Sequence, residues 1–227
     1  MRLQRHAVVT GASSGIGLAI ARRCIDDGFM VTGISRRSAP ISSPNYVQVS
    51  CDLMDPEATE NCVSPVANVD SFVHAAGFMT TAPLEKATLE AGDAMWRIHV
   101  GAAVQLAASL VPRMINGGRI IMIGSRLATG AAGRSQYAAV KASQVGLVRS
   151  WAGELIGRGT TVNIIAPGAT KTPRLTDPNR TSSSPELPRI GRLITPEEVA
   201  AAVAFLLSPS AAAITGQTLV ICGGASL

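Results

Sequence analysis

Residues 7–20, AVVTGASSGIGLAI, pass from a short apolar run, through a turn carrying three glycines, into the start of a helical pattern. Ala7–Thr10 reads as a buried strand, and Ile16–Asp26 has apolar residues at helical spacing. Gly11, Gly15 and Gly17 stand where a backbone without Cβ atoms lets a pyrophosphate approach and lets the helix pack closely on the strand. The open N–H groups of the first helical turn favour the same anion. Three glycines would also suit a tight turn with no ligand. Their position at the first strand-to-helix junction predicts a dinucleotide, with Ser13, Ser14 and Ile16 completing its cradle.

The rhythm begun by this unit continues. Apolar, β-rich runs recur at Phe29–Ile34, Tyr46–Cys51, Ser71–Ala75, Arg119–Gly124, Thr161–Ala166 and Gln217–Cys222. Helical patterns lie between most of them, at Pro56–Val66, Ala91–Met114, Gln136–Gly157 and Pro196–Leu207. Short strands alternating with helices imply right-handed βαβ units. The expected fold is therefore a doubly wound α/β Rossmann fold, a parallel sheet of about seven strands with helices on both faces. At 227 residues the chain is expected to form one domain. Thr170–Ile194 is the long stretch without periodicity, with prolines at 173, 178, 185 and 188, and reads as a substrate-binding loop.

Composition narrows the function classes. Apolar residues are 47% and charged residues 15%, rich enough that some apolar surface is expected to be shared between subunits. No apolar run approaches the ~20 residues of a membrane span. Ala200–Leu207 stops at Ser208-Pro209, and Gly101–Val111 carries Gln105 and Ser109. The opening MRLQRHAVVTGASS lacks a signal-peptide core, so a cytoplasmic chain without a membrane partner is expected. Cys24, Cys51, Cys62 and Cys222 form no C-x-x-C pair and the three histidines are scattered, which predicts free thiols and no metal site. The net charge of +5 rests on seventeen arginines against three lysines. They are dispersed and aromatics are only 4%, so a solvated surface is expected and not a nucleic-acid partner.

The second strand ends Gly33-Ile34-Ser35-Arg36-Arg37, without the carboxylate that would hold a ribose 2′-hydroxyl. Two guanidiniums suit a phosphate by charge and fork geometry, which favours NADP(H) over NAD(H). Gly11-Ala12-Ser13-Ser14-Gly15 also fits G-x-S-x-G, the nucleophile elbow of α/β-hydrolases. Such an enzyme needs an acid and then a histidine later in the chain. No histidine follows His99, and the hydrolase reading is set aside.

SQYAAVKAS, residues 135–143, holds one of two tyrosines and one of three lysines, four residues apart and so on one helix face. A phenol with a pKa near ~10 is a poor base at neutral pH, and an ammonium within ~4–6 Å favours its ionised form. Set beside TGASSGIG, Asp52, HAAG at His74–Gly77, Ser125, PGATKT at 167–172 and the terminal glycine pair, this motif resembles the single-domain short-chain dehydrogenase/reductase family. The likeness runs from Ala7 to Gly224. It implies that Tyr137 is the acid–base residue, that Lys141 holds the nicotinamide ribose and lowers the tyrosine's pKa, and that Ser125 hydrogen-bonds the substrate oxygen. It further implies that Asp52 and Leu53 meet the adenine, that Ala76 and Gly77 pass the adenosine ribose, and that Pro167, Gly168, Thr170 and Thr172 follow the nicotinamide end.

The pattern is broken in three places. His99, in MWRIHVGAAVQLA, falls where the family usually has an asparagine that holds a water linking the lysine to solvent. An imidazole suits a proton relay, and equally suits a satisfied position within helix packing. His74 stands in HAAG where NNAG is commoner. Ser125 precedes Tyr137 by twelve residues, one fewer than the frequent separation; Gly124 would match but has no hydroxyl. Arg126, Arg134, Arg174 and Arg180 lie in the flanking loops, where one of them would suit a substrate carboxylate or phosphate.

The resulting expectation is an enzyme interconverting a ketone or aldehyde with an alcohol. A 3-oxoacyl thioester is one substrate option; a sugar or cyclic alcohol is another. The alternative is a nucleotide-binding redox sensor or an inactive subunit of the same fold. The likeness also implies a homo-oligomer, dimer or tetramer, through the helices at 91–114 and 136–157 and the terminal ICGGASL.

Overall fold

The computed structural model describes residues 4–176 and 186–227 of the chain. Its centre is a parallel sheet of seven strands in the order β3-β2-β1-β4-β5-β6-β7. These are β1 (His6–Thr10), β2 (Met30–Ser35), β3 (Tyr46–Ser50), β4 (Val69–His74), β5 (Met114–Ile123), β6 (Thr161–Pro167) and β7 (Thr218–Ile221). The expected strand count and parallel pairing hold. The chain builds outward from β1 in one direction through β3, then returns to β4 and builds the other way. The crevice between the carboxyl ends of β1 and β4 is therefore the switch point at which such sheets take ligands.

Alternation along the strands divides the core in two. Ala7, Val9, Val73, Ile121 and Ile165 face α1 (Gly15–Asp26) and α6 (Pro196–Leu207). Val8, Phe72, Ile120, Met122 and Ile164 face the opposite layer, where Leu106 and Leu110 of α4 (Ala102–Leu110) and Val148 of α5 (Ser135–Leu155) meet them. Apolar residues at consecutive strand positions are what a sheet covered on both faces requires. α6 runs over Pro196–Leu207 and stops at Ser208-Pro209, as expected from the sequence, and Thr195 begins it with a capping box closed by Glu198.

Two helices differ from expectation. The pattern at Pro56–Val66 yields only α2 (Pro56–Asn61), capped by Asp55, because Pro65 disfavours helical backbone at Ser64. The pattern at Ala91–Met114 is not one helix. It divides into α3 (Leu89–Trp96), capped by Thr88, a π-helical turn (Arg97–Gly101), and α4, closed by a 3₁₀ turn over Val111–Arg113. Met114 already opens β5, opposite Val69, and residues 115–118 loop out before Arg119 pairs with Ser71. The segment Leu89–Arg113 is long and apolar enough to cross a membrane by composition, with half of it buried inside the protein.

Candidate active site

The glycine-rich turn forms one wall of a cleft of about 380 Å³. Gly11 and Gly15 have φ of +68° and +54°, a region that glycine enters without strain. A Cβ at Gly11 would stand 3.0 Å from the backbone of Ala76, and one at Gly17 would run into the Gly11 carbonyl. The turn is thus pressed against the exit of β4 on one side and its own helix on the other. Ser14 caps α1 without a side-chain hydrogen bond, and no acidic residue stands in the first turn, so the helix end presents free N–H groups. Ser13, Ser14 and Ile16 line the cleft.

Arg36 and Arg37 leave the end of β2 at the far side of the same cleft. Arg36 lies 4.0 Å from Asp52, both well exposed, and Asp52 accepts the Met54 N–H at 3.0 Å. Leu53 is buried but lends a surface to the cleft, as do Ala76 and Gly77. The segment after β6 divides. Thr172 reaches the glycine turn, its Cγ2 3.1 Å from where a Gly15 Cβ would stand, and lines the cleft. Thr170 is buried, with its hydroxyl on the Gly168 carbonyl at 3.0 Å. Gly168 packs on Cys222, donates to the Ile221 carbonyl at 2.8 Å and, like Pro167, stays in the sheet edge outside the cleft wall. Thr170 and Ile194 bridge the ends of the long aperiodic loop, whose residues 177–185, Arg180 among them, lie outside the described residues.

Tyr137 stands in the first turn of α5 and Lys141 one turn on, so the expected shared face is present. Ser125 stands close enough to Tyr137 for its side chain to pull the phenol's pKa down. Ser125 follows β5, whose last carbonyl-side partner is Gly124, still bonded to the Ile165 carbonyl at 2.7 Å. Ser125 is therefore the first hydroxyl free of the sheet, and it caps a 3₁₀ turn over Arg126–Thr129 that absorbs the missing residue. Lys141 is 4% exposed, donates to the Ile123 carbonyl at 2.6 Å and lies 5.8 Å from the centroid of the Tyr137 ring. Burial pushes its pKa down to about 7.

The electrostatics correct one expectation. Tyr137 is not below the ordinary phenol value but above it, because burial outweighs the Ser125 side chain and the charge of Arg174 that pull the other way. Lys141 is itself too deeply buried to hold a full charge cheaply, and spends one N–H on a carbonyl.

Both histidines are buried. His74 receives a hydrogen bond from Thr10 at Nδ1, 3.1 Å, and gives one from Nε2 to the Ile98 carbonyl, 2.9 Å. Thr10 in turn accepts the N–H groups of Ala75 and Ala76 at 3.0 Å, so β1, β4 and the π-helical turn are tied together. Burial holds the His74 pKa near 4, and the ring is neutral. Fixed in this way, it has no free nitrogen to serve as the base of a hydrolase triad. His99 sits in the π-helical turn, edge-on to Tyr137 with ring centroids 5.8 Å apart. Its pKa is also far below the ordinary value through burial, with the Lys141 charge adding to the effect.

Of the arginines, Arg126 turns to the Ala225 carbonyl at 3.3 Å. Arg174 lines the cleft, donates to the Met79 carbonyl at 2.8 Å and lies over the Phe78 ring. Arg134 immediately precedes α5. Sequence reasoning missed Thr10 and Gln144. Gln144 shares the helical face of Tyr137 and Lys141, and that spacing was the available signal. Among the described residues no group of three or more His, Cys, Asp or Glu stands close enough to hold a metal.

A family model described as enoyl-(acyl carrier protein) reductase matches residues 11–226. The 3-oxoacyl-[acyl-carrier-protein] reductase FabG of Vibrio cholerae serotype O1 is 36% identical over 234 residues, 96% of each chain. Among solved structures, a short chain dehydrogenase from Burkholderia cenocepacia J2315 in complex with NADP superposes with a TM-score of 0.88 at 34% identity, covering all of both chains. A blue fluorescent protein from a metagenomic library, in complex with NADPH, gives 0.86 at 29% identity over 98% of each. The chain belongs to the short-chain dehydrogenase/reductase family, a family of NAD(P)-dependent oxidoreductases.

Proposed function

We propose that the protein is an NADP(H)-dependent reductase that converts a ketone, in the first instance a 3-oxoacyl thioester, to the corresponding alcohol. The residues fit that cofactor. Gly11 and Gly17 leave space that a Cβ would fill, the first turn of α1 offers N–H groups to a pyrophosphate, and Arg36 and Arg37 supply positive charge where a 2′-phosphate needs it. The relative complexed with NADP and those named 3-oxoacyl reductases support the same assignment.

When bound, the nicotinamide supplies the hydride. The chain supplies the proton and the positioning. Ser125 holds the carbonyl oxygen by a hydrogen bond, and Tyr137 delivers its phenolic proton to that oxygen. A phenol kept above its ordinary pKa is fully protonated before the reaction, as a general acid must be. Lys141, one turn away, stabilises the phenolate left behind. The placement of Ser125 beside Tyr137, with Lys141 beneath the ring, is the observation that carries this reading.

The test follows NADPH absorbance with a panel of 3-oxoacyl thioesters and simple ketones, with Tyr137→Phe in parallel. Wild-type turnover that the substitution abolishes, with NADPH binding intact, is expected. Tight NADPH binding with no turnover across the panel would favour the redox-sensor alternative. We further propose a cytosolic homo-oligomer. The four cysteines are free, and Trp96, Val104 and Val145 on the α3–α4 and α5 surfaces are half-exposed apolar residues suited to subunit contact. Light scattering is expected to give a multiple of the 23.4 kDa chain.

A further inference from the structure

His99 is 3% exposed, and its two nitrogens are unequally served. Nε2 lies 2.7 Å from the Phe78 carbonyl, an oxygen that only accepts, so Nε2 carries the proton and Nδ1 is left as the acceptor. Nδ1 is sealed from solvent and has no partner among the described residues. Gln144 repeats the pattern beside it. Its amide nitrogen donates to the His99 carbonyl at 3.1 Å, while its Oε1 has no donor. A buried acceptor without a donor is uncommon and costs about 1–3 kcal/mol, so one that persists points to a missing partner.

The open nitrogen lies behind the cleft wall, of which Gly77 is a part. A Cβ on Gly77 would overlap Cε1 of the imidazole and stand 2.5 Å from Nδ1, so this edge of the ring lies on Gly77. Tyr137 meets the ring from the side, and Lys141 lies beneath Tyr137, close enough for its charge to oppose protonation of His99. Lys141 uses one N–H on Ile123, and an ammonium has two more to give.

We propose that His99 Nδ1 and Lys141 Nζ bracket a single hydroxyl group, which donates to the imidazole and accepts from the ammonium, and that this hydroxyl belongs to the nicotinamide-side ribose. The proposal rests on the NADP(H) reading above. It makes His99 a positioning residue with a locked tautomer and not a proton shuttle. To pass a proton on, Nε2 would have to release its own to an amide carbonyl, which is far too weak a base. The chemistry required is an O–H donor, which a trapped water shares with a ribose.

The test uses protein labelled with ¹⁵N in its three histidines and records imidazole proton–nitrogen correlation spectra from pH 5 to 9, with and without NADP⁺. Wild-type NADPH affinity is measured first by fluorescence. The His99 signal, identified by its loss in His99→Phe, should show a protonated Nε2 and a bare Nδ1 throughout, and the Nδ1 resonance should move upfield when NADP⁺ saturates the protein. His99→Phe should raise the NADPH Kd about three- to tenfold, in line with one lost hydrogen bond, and His99→Gln should restore part of it. A proton on Nδ1, or a signal that titrates across this range, would overturn the locked acceptor. A resonance already hydrogen-bonded without NADP⁺ and unmoved by it would assign the donor to a trapped water and overturn the ribose. If wild type fails to bind NADPH, both this proposal and the cofactor reading fall. Tight binding with an unmoved resonance sinks this proposal alone.

Discussion

His74 and His99 are the same residue type, buried to the same degree, neutral for the same reason, and built into the same corner of the fold. They end in different states. His74 gives and receives one hydrogen bond each, with Ile98 and Thr10, and so works as a rivet between two strands and a helix. His99 gives one bond to Phe78 and keeps its other nitrogen open beside Tyr137. A closed hydrogen-bond inventory marks a structural residue. An open one, at 3% exposure and packed on Gly77 of the cleft wall, marks a position that lacks a partner.

The largest effect tests whether the open nitrogen faces a working site at all. Tyr137→Phe should lower kcat by about 10²–10⁴-fold while NADPH affinity is kept, since it removes only the proton donor. An unchanged rate would make the neighbour of His99 a bystander and dissolve the contrast.

Next is stability. His74→Leu strands the Thr10 hydroxyl and the Ile98 carbonyl, and should cost about 3 kcal/mol in urea unfolding, because two buried groups lose their partner. His99→Phe strands only the Phe78 carbonyl and should cost about half as much. Equal losses would mean that the two rings are held alike.

Acid gives the same contrast a sign. The His74 pKa is near 4 in the folded chain against 6.5 in the unfolded one, so between those values the unfolded chain binds a proton that the folded chain refuses. Stability is therefore full above about pH 6.5 and declines as the pH falls towards 4, by up to roughly 3 kcal/mol for this group. His99, also depressed, adds loss of the same sign. His74→Gln should flatten the melting temperature against pH over this range; an unchanged slope would assign the loss elsewhere.

The smallest effect lies at the far end of the cleft. Arg36→Ser with Arg37→Ser should reduce the preference for NADPH over NADH about tenfold, as lost charge-assisted hydrogen bonds would. Neither residue touches a histidine, so the imidazole spectra should not change. A shift there would show that the two ends of the cleft are coupled.

Much of this was legible in the sequence. Strand–helix alternation is a local pattern, with periods of two and of about 3.6 residues, and it predicted the parallel sheet of seven strands. The glycines of TGASSGIG, the Tyr137–Lys141 spacing and the Pro196–Leu207 helix are likewise local, and each appears where expected. Ser125 was preferred to Gly124 because only one of them has a hydroxyl; in the structure Gly124 is still tied to the Ile165 carbonyl and Ser125 stands one residue further on.

What only the tertiary structure decided depends on partners remote in the chain. The Ala91–Met114 pattern is uninterrupted by sequence, yet breaks at Arg97–Gly101, where Ile98 and His99 give their carbonyls to His74 and Gln144. The Tyr137 phenol moves up and not down because the depth of its burial is a property of the packed molecule. The two histidines diverge because Thr10 is 64 residues from His74 and Phe78 is 21 from His99. Residue identity specifies which hydrogen bonds a side chain is able to make, but the fold alone determines which partners arrive.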